Sequence, residues 1–289
     1  MHSVIFCCKR IEKVFTQKEC VYLEKLCRIC AGGEEPLDFS SESWYTESKK
    51  DGRMKIVGEE ITLAEYEVLD DMCMDGLKIV QDTRLYRFTS DSVLLSRFAR
   101  LKKGDVVADF CAGSGIVAFH FYALHRKKNP NIPITLFEMQ TSLSALSEKT
   151  AKYNGFENFT FENCRLQDIS ENYRERFSLI VCNPPYEKVG TGFDNEYYEK
   201  AICRKEITLH LDEIARAAAF ALKYGGRIAL LNRADRLPEL CYTLKKYNIE
   251  IKRIQFVAGR CASKPYLVMV EGVKGGKAHC EIADTLYNE

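Results

Sequence analysis

Two consecutive prolines set the strongest constraint on how this chain can fold. Pro184 and Pro185 come directly after the apolar run 177–182 and Asn183, and the composition of that run is typical of a buried strand. A proline has no N–H to donate to a β-ladder, so the strand has to end at this point. The strand therefore leads into a stiff turn that carries the amide of Asn183 and the ring of Tyr186.

This turn carries groups that suit a flat ligand with an exposed amine. The Asn183 side-chain oxygen and the Pro184 carbonyl can both accept hydrogen bonds from an exocyclic NH2 group, and Tyr186 can stack on the ring. We therefore predict a catalytic turn made of Asn183, Pro184, Pro185 and Tyr186. Asn-Pro dipeptides also occur in ordinary turns, so this pattern alone leaves a plain strand-to-loop connection open.

A second motif lies upstream, where the apolar run 106–110 leads through a glycine turn into a predicted helix at 116–124. Gly113 and Gly115 let a ligand approach the backbone, and the N–H groups at the helix start favour an anionic group. The segment 113–118 also satisfies the fingerprint of dinucleotide sites. A nicotinamide-dependent oxidoreductase or a non-catalytic nucleotide-binding module is therefore an alternative.

Three carboxylates lie at or after the ends of predicted strands; of these, Asp109, together with the amide-and-aromatic turn at 183–186, favours S-adenosylmethionine over a nicotinamide cofactor. Asp109 lies four residues before Gly113, where it can anchor an ammonium group or the water around it. Glu138 lies 23 residues after Gly115, close to the spacing of an acid that binds ribose hydroxyls, although an acid is also favoured at a helix start. Asp168 comes after the third strand and could accept from an adenine amine, or be solvated.

Strands and helices alternate along most of the chain, which predicts an α/β fold with a mostly parallel sheet and helices on both faces. The predicted strands are 106–109, 134–138, 159–162, 178–182 and 227–232, with an antiparallel pair at 253–257 and 266–271. The predicted helices are 91–101, 116–125, 141–153 and 207–223. We also predict a hairpin around residues 82–84 and a helix stop at Tyr224-Gly225-Gly226.

With these pieces placed, the chain resembles the class I (Rossmann-like) S-adenosylmethionine-dependent methyltransferases and, more narrowly, the bacterial valine-tRNA (adenine-N6) methyltransferase family. The resemblance covers roughly residues 54–277. The segments that carry it are 76–81, 88–95, 109–115, 137–140, 183–186, 204–206, 222–227 and 267–277. The glycine turn is general to the superfamily, whereas the Asn-Pro-Pro-Tyr turn is specific to the methylation of amino groups.

The resemblance implies a set of site residues. The cofactor is expected to contact Thr89, Asp91, Asp109, Cys111, Gly113, Gly115, Glu138, Asp168 and Asn183. Thr89 and Asp91 match a segment that closes over the methionine end of the cofactor, but both are also good helix N-caps. The target amine is expected on Asn183 and Pro184, with Tyr186 stacked on the base. Cys182 would point into the core, which disfavours a cysteine nucleophile.

The expected activity is methyl transfer to an adenine N6 in RNA, with an anticodon-loop adenine of a valine tRNA as the target that the resemblance implies. Methylation of an rRNA or DNA base, or of a protein glutamine amide, remains an alternative within the same class. Residues 1–71 carry a net charge of −5 and the remainder +6, which is compatible with a nucleic-acid substrate. Candidate phosphate contacts are 126–128, 245–246, 252–253, Arg260 and Lys264.

Four parts are expected: an extension of unknown role at 1–53, with Met54 as an alternative native start, a hairpin and helix at 54–104, the catalytic domain at 105–277 and a tail at 278–289. No apolar run approaches the length that spans a bilayer, and the apolar stretch among the first residues is too short for a secretory signal. The 13 cysteines are scattered, so we expect reduced thiols in a cytoplasmic protein. Cys20, Cys27 and Cys30 form only half of a zinc site, so no metal is expected.

Overall fold

The fold is seen in a computed structural model, which describes residues 61–72, 74–85, 87–185 and 209–288. Its strands are β1 (Glu67–Asp71), β2 (Lys78–Asp82), β3 (Val107–Phe110), β4 (Ile134–Phe137), β5 (Phe159–Glu162), β6 (Phe177–Cys182), β7 (Leu222–Arg233), β8 (Ile249–Ala258), β9 (Leu267–Lys274), β10 (Glu281–Ile282) and β11 (Leu286–Tyr287). Its helices are α1 (Ser90–Phe98), α2 (Ile116–His125), α3 (Thr141–Asn154), α4 (Leu211–Ala221) and α5 (Leu237–Lys246).

A single sheet, in the order β10-β8-β9-β7-β6-β3-β4-β5, forms the centre of the fold. Strands β3 to β7 are parallel, and β9 runs antiparallel between β7 and β8. Helices cover both faces: one apolar core packs α1 and α2 against the sheet, and a second packs α4 and α5 against the other side. Successive β3 residues alternate between the two cores, with Val107 in the first and Ala108 in the second. The predicted fold class is confirmed.

The predicted hairpin around residues 82–84 is wrong. Strand β2 pairs instead with β1, upstream of it, with Glu67 opposite Asp82 and Asp71 opposite Lys78. Residues 82–84 form a turn after the strand, where the Asp82 carboxylate accepts from the Arg84 backbone N–H at 2.8 Å. Alternation of apolar residues locates a strand but does not reveal whether its partner lies before or after it in the chain.

The predicted helix stop at Tyr224-Gly225-Gly226 is also wrong. Helix α4 ends at Ala221, and Leu222 already has extended backbone angles (φ −74°, ψ 137°). Leu222 is fully buried and pairs with Phe177 of β6, so burial of this side chain decides where the strand begins. Residues 224–226 therefore lie within β7, at an irregularity where its register against β6 shifts.

Helix α5 and the last two strands have no counterpart among the predicted elements. Helix α5 begins with a proline in its first turn and buries Leu240, Thr243 and Leu244. Strands β10 and β11 lie parallel to β8 at the sheet edge. After them, the Asn288 side chain donates to Ser90 Oγ and to Tyr266 Oη, both at 3.1 Å. The end of the described chain is thereby tied to the start of α1.

No helix in the described ranges is both long enough and apolar enough to cross a membrane. The predicted half-site at Cys20, Cys27 and Cys30 lies outside the described residues, as do Tyr186 and the segment 187–208.

Candidate active site

A cleft of about 800 Å³, partly open to solvent, lies at the carboxyl ends of β3, β4 and β6. This edge is where open parallel sheets bind their ligands. The cleft brings together Gly113 from the glycine turn, Glu138 from the end of β4 and Asn183 from the end of β6. Three segments that are far apart in the sequence are therefore assembled into one site, as the strand positions predict.

The two glycines of the turn are needed for different reasons. Gly115 has φ +86°, and a Cβ at this position would lie 2.4 Å from the Phe119 ring and 2.9 Å from Leu136 Cδ2. Gly113 has φ +58°, but a Cβ there would meet no atom within 4 Å. Gly115 therefore permits close packing of α2 on the sheet, whereas Gly113 keeps the floor of the cleft open to a ligand.

Two carboxylates of the protein occupy N–H groups around this turn. Glu138 accepts from the backbone N–H of Gly113 at 2.8 Å and from that of Gln140 at 2.9 Å. Asp109 accepts from the N–H of Ala118, in the first turn of α2, at 3.0 Å. The predicted anion preference of the helix start is therefore partly satisfied by the chain itself. A pyrophosphate, as in a dinucleotide, would meet two acidic side chains here.

Neither carboxylate has an ion-pair partner among the described residues. Burial raises the pKa of Asp109 well above its ordinary value; the Ala118 N–H opposes this rise and the charge of Glu138 adds to it. Burial also raises the pKa of Glu138, opposed by the backbone N–H groups that it accepts from. The second oxygen of Asp109, Oδ1, is buried and has no hydrogen-bond partner in the part of the chain that the structure describes. The surroundings of the turn thus favour a ligand that brings positive charge and hydrogen-bond donors.

The amide of Asn183 is held at one end and open at the other. Its Nδ2 donates to Ser92 Oγ of α1 at 3.0 Å, while its Oδ1 is buried and accepts from no described residue. A buried acceptor left without a donor costs about 1–3 kcal/mol, which points to a donor supplied by a ligand. Pro184 is buried and Pro185 lines the cleft, so the stiff turn does project into the site.

The other predicted cofactor residues sit beside the lining of the cleft. Thr89 precedes α1 but its side chain makes no capping bond, and its buried Oγ1 has no hydrogen-bond partner among the residues that the structure describes. Asp91 is half-buried in the first turn of α1, between the lining residues Phe88 and Ser92. Asp168 is exposed, directly after the lining residue Gln167. Thr89, Asp91, Asp109, Gly115 and Asp168 do not themselves line the described cleft.

Two thiols lie together at the floor of the cleft. Cys111, which is half-buried, lines the cleft beside Cys182, which is fully buried at the end of β6. The contact with Cys182, followed by burial, raises the pKa of Cys111 well above its ordinary value. Both features keep the thiol protonated and poorly nucleophilic, which disfavours the cysteine-based alternative.

Sequence reasoning missed Ser92, the partner of Asn183. The only signal in the sequence is a small polar residue within the run Ser92-Val93-Leu94-Leu95, where burial is expected of every other member. A helical serine in such a run commonly bonds its own helix, so the pattern does not indicate a contact with a residue 91 positions away.

The strand order, the glycine turn and the Asn-Pro-Pro turn at adjacent strand ends define a class I methyltransferase of Rossmann-like fold. Residues 89–240 match the family model described as the methyltransferase small domain. This match covers more than half of the chain, and the chain belongs to that family. The methyltransferase class predicted from the sequence is confirmed.

Individual relatives agree with this membership. The chain is 26% identical over 200 residues to a tRNA1(Val) (adenine(37)-N6)-methyltransferase of Shewanella baltica, which covers 67% of this chain and 79% of the relative. The fold is similar to a crystal structure titled as a predicted O-methyltransferase from Agrobacterium tumefaciens (TM-score 0.54, 16% identity, 68% of this chain and 86% of that one). It is also similar to a Pyrococcus abyssi tRNA (uracil-54, C5)-methyltransferase in complex with S-adenosyl-L-homocysteine (TM-score 0.50, 12% identity, 73% and 45%).

Proposed function

We propose that this protein transfers a methyl group from S-adenosylmethionine to the exocyclic N6 amine of an adenine in RNA, in the anticodon loop of a valine tRNA. The observation that carries the proposal is the Asn183 amide, whose buried, partnerless oxygen lies in the same cleft as the glycine turn. The names of the relatives support the tRNA substrate. A tRNA substrate also implies a cytoplasmic enzyme.

The residues of the cleft fit S-adenosylmethionine. Its positively charged methionine end suits the two unpaired carboxylates near the turn, and the free Asp109 Oδ1 would accept from its ammonium or from a bridging water. The partnerless hydroxyl of Thr89, with Asp91, would close over the same end. Glu138 has lone pairs left for the ribose hydroxyls, and Asp168 would reach the adenine amine from the rim.

When bound, this cofactor supplies a methyl group that its sulfonium already makes electrophilic. The task left to the protein is to present the amine with its lone pair free of the ring. Asn183 Oδ1 and the Pro184 carbonyl would accept the two amine hydrogens and favour the pyramidal geometry of attack. Tyr186, outside the described residues, would stack on the extruded base.

Proton removal needs no dedicated base beside Asn183. The described lining of the cleft contains no histidine, and its carboxylate, Glu138, is engaged with backbone N–H groups. The methylated amine is a strong acid before it loses its proton, so water can accept that proton after the transfer. The chemistry of the site thus rests on positioning and hydrogen bonding rather than on general-base catalysis.

The candidate phosphate contacts differ in two respects: whether the side chain already has an ion-pair partner, and at which edge of the sheet it lies. Arg126 and Lys127 come after α2 at the edge opposite the cleft and pair with Asp75 at 3.6 and 3.0 Å. The remaining engaged cations are Lys245 with Glu250, Lys246 with Asp212, Lys252 with the Lys277 carbonyl, and the buried Arg253 with Glu271. These side chains are poor candidates for binding RNA.

Arg260 and Lys264 differ from them. Both are exposed on the loop between β8 and β9, at the carboxyl edge where the cleft opens, and no ion pair engages either one among the described residues. Arg165 is likewise exposed and lines the cleft itself. We place the phosphate contacts of the tRNA on these three side chains.

The test is incubation of the protein with tritiated S-adenosylmethionine and, in parallel, with total tRNA, total rRNA, duplex DNA or a translation factor. Nucleoside analysis should find N6-methyladenosine in the tRNA arm. The Asn183→Ala variant should lose at least about a hundredfold in rate while calorimetry shows nearly unchanged cofactor affinity. Tritium incorporated into rRNA, DNA or the translation factor instead of tRNA would show that the substrate is not tRNA. Binding of NAD in place of S-adenosylmethionine would overturn the proposal.

A further inference from the structure

Ser92 is the one described side chain that is hydrogen-bonded to the Asn183 amide. It is only 2% exposed, lines the cleft and accepts from Asn183 Nδ2 at 3.0 Å. It belongs to the first turns of α1, whereas Asn183 comes after β6, so the bond joins two elements that are 91 residues apart. The bond therefore exists only when α1 is docked on the sheet.

The orientation of the Asn183 amide decides whether the turn can serve an amine. A carboxamide has an accepting oxygen and a donating NH2 group at nearly equal positions, so rotation by half a turn exchanges them. With the oxygen forward, the turn accepts from the substrate amine; with the NH2 forward, two donors would face each other and the amine would be repelled. Some contact has to select one of these two states.

We propose that Ser92 is a positioning residue that selects the accepting orientation of Asn183. Helical serines commonly donate their proton to a carbonyl of their own helix, so the Ser92 hydroxyl is left to accept from Nδ2, and this contact keeps Oδ1 directed at the site of the amine. The inference rests on the proposed function, because it presumes that Asn183 accepts from the substrate. It adds a residue outside the catalytic turn on which the rate of methyl transfer depends.

A matched control is present on the same helix. Ser96, one turn beyond Ser92, is also fully buried and hydrogen-bonded, but to the Val93 carbonyl and to His120 Nδ1, both at 2.7 Å. Ser96→Ala therefore removes a buried hydroxyl from α1 without touching Asn183. If the substitutions act by destabilising α1, both Ser92→Ala and Ser96→Ala should slow methyl transfer. If they act through the orientation of the Asn183 amide, only Ser92→Ala should slow it.

The experiment measures single-turnover methyl transfer to tRNA and cofactor affinity by calorimetry for Ser92→Ala, Ser92→Thr and Ser96→Ala. Ser92→Ala should slow transfer about tenfold, the worth of one neutral hydrogen bond, with cofactor and tRNA affinities unchanged. Ser92→Thr, which keeps the hydroxyl, should recover most of the rate. Ser96→Ala should transfer at the wild-type rate.

A double variant separates positioning from a general structural role. In the Asn183→Ala background, Ser92→Ala should cause no further loss, because the group that it orients is gone; independent defects would instead multiply. Wild-type transfer by Ser92→Ala, with Asn183→Ala inactive, would refute the role of Ser92 alone. Full activity of Asn183→Ala would refute the proposed function as well. Equal losses in Ser92→Ala and Ser96→Ala would assign the effect to helix packing and overturn the inference.

Discussion

Two buried aspartates near the opposite ends of β3 differ in how far the protein itself satisfies their hydrogen bonds. Asp105, at the amino edge of the sheet, accepts from Lys102 N at 2.6 Å, Ser178 Oγ at 2.7 Å and the Arg227 guanidinium at 2.5 Å. Asp109, at the carboxyl edge, accepts from one backbone N–H, and its other oxygen has no hydrogen-bond partner among the described residues. The chain therefore supplies partners to both oxygens of Asp105 but to only one oxygen of Asp109.

The difference between the edges separates a structural role from a binding role. Arg227 also donates to the Arg100 carbonyl at 2.5 Å, so the Asp105 cluster ties the entry of β3 to β7 and to the end of α1. Nothing comparable closes the carboxyl edge within the described residues, where Asn183 and Thr89 also keep partnerless oxygens. Buried polar atoms without partners are costly, and their concentration at one edge marks it as the place where a ligand completes the structure.

Replacement of aspartate by asparagine should lower stability at position 105 and cofactor affinity at position 109. The larger change in free energy should be the loss of stability at Asp105. Asp105→Asn leaves the guanidinium of Arg227, which is 3% exposed, without its counter-charge. We expect a loss of about 3–5 kcal/mol in the free energy of unfolding, measured in urea. Cofactor affinity of the folded protein should stay at the wild-type value. A loss below about 1 kcal/mol would remove the contrast between the edges.

Asp109→Asn should show the reverse pattern. The amide oxygen can still accept from Ala118 N, and no cation among the described residues loses a partner, so the free energy of unfolding should not fall by more than about 1 kcal/mol. Affinity for S-adenosylmethionine should fall about tenfold, equivalent to about 1.4 kcal/mol, because the anionic acceptor is lost. Unchanged affinity, measured by calorimetry, would exclude Asp109 from the cofactor site.

The pH dependence of cofactor binding should reflect the two raised carboxylate pKa values. Asp109 and Glu138 take up protons at a higher pH than ordinary carboxylates, so affinity for the cationic cofactor should fall severalfold as the pH drops through their raised pKa values. Because both pKa values are higher in the folded than in the unfolded chain, stability of the ligand-free protein should instead decrease as the pH rises through them. Asp109→Asn should flatten both curves, and a flat wild-type curve would contradict the assignment.

The smallest effect concerns RNA binding, and it too should differ between the edges. Arg260→Ala and Lys264→Ala, at the carboxyl edge, should each raise the KM for tRNA about two- to fivefold. Each should also lower the number of ions released on binding, measured from the salt dependence of affinity, by about one. Lys127→Ala, at the amino edge, should leave both quantities unchanged. Equal effects at both edges, measured by tRNA binding at several salt concentrations, would indicate a tRNA footprint other than the one proposed.

The sequence predicts the frame of the site well, for reasons that are local. The pattern predicts helix α2 at 116–125 and strand β5 at 159–162 with the bounds that the structure shows. Because carboxyl ends of parallel strands meet at one edge, the grouping of Gly113, Glu138 and Asn183 can be expected once the strands are recognised. The strand-ending effect of Pro184 is likewise a property of the residue itself.

The features that the sequence does not predict depend on contacts between distant segments. The partner of β2, the start of β7 at Leu222 and the bond from Ser92 to Asn183 are each decided by tertiary packing. Local rules also predict that the N–H groups at the start of α2 are available to an anion. The structure shows that Glu138 and Asp109 already occupy two of the N–H groups around this turn, and only coordinates reveal such competition.

The contact of Asn288 with Ser90 and Tyr266 has a practical consequence. It anchors the chain next to the helix that carries Ser92 and next to the loop that carries Arg260 and Lys264. A fluorescent dye attached at Asn288 would therefore sit beside the start of α1 and beside the proposed tRNA-binding loop. Its emission would report the arrival and departure of the nucleic acid in real time, independently of methyl transfer.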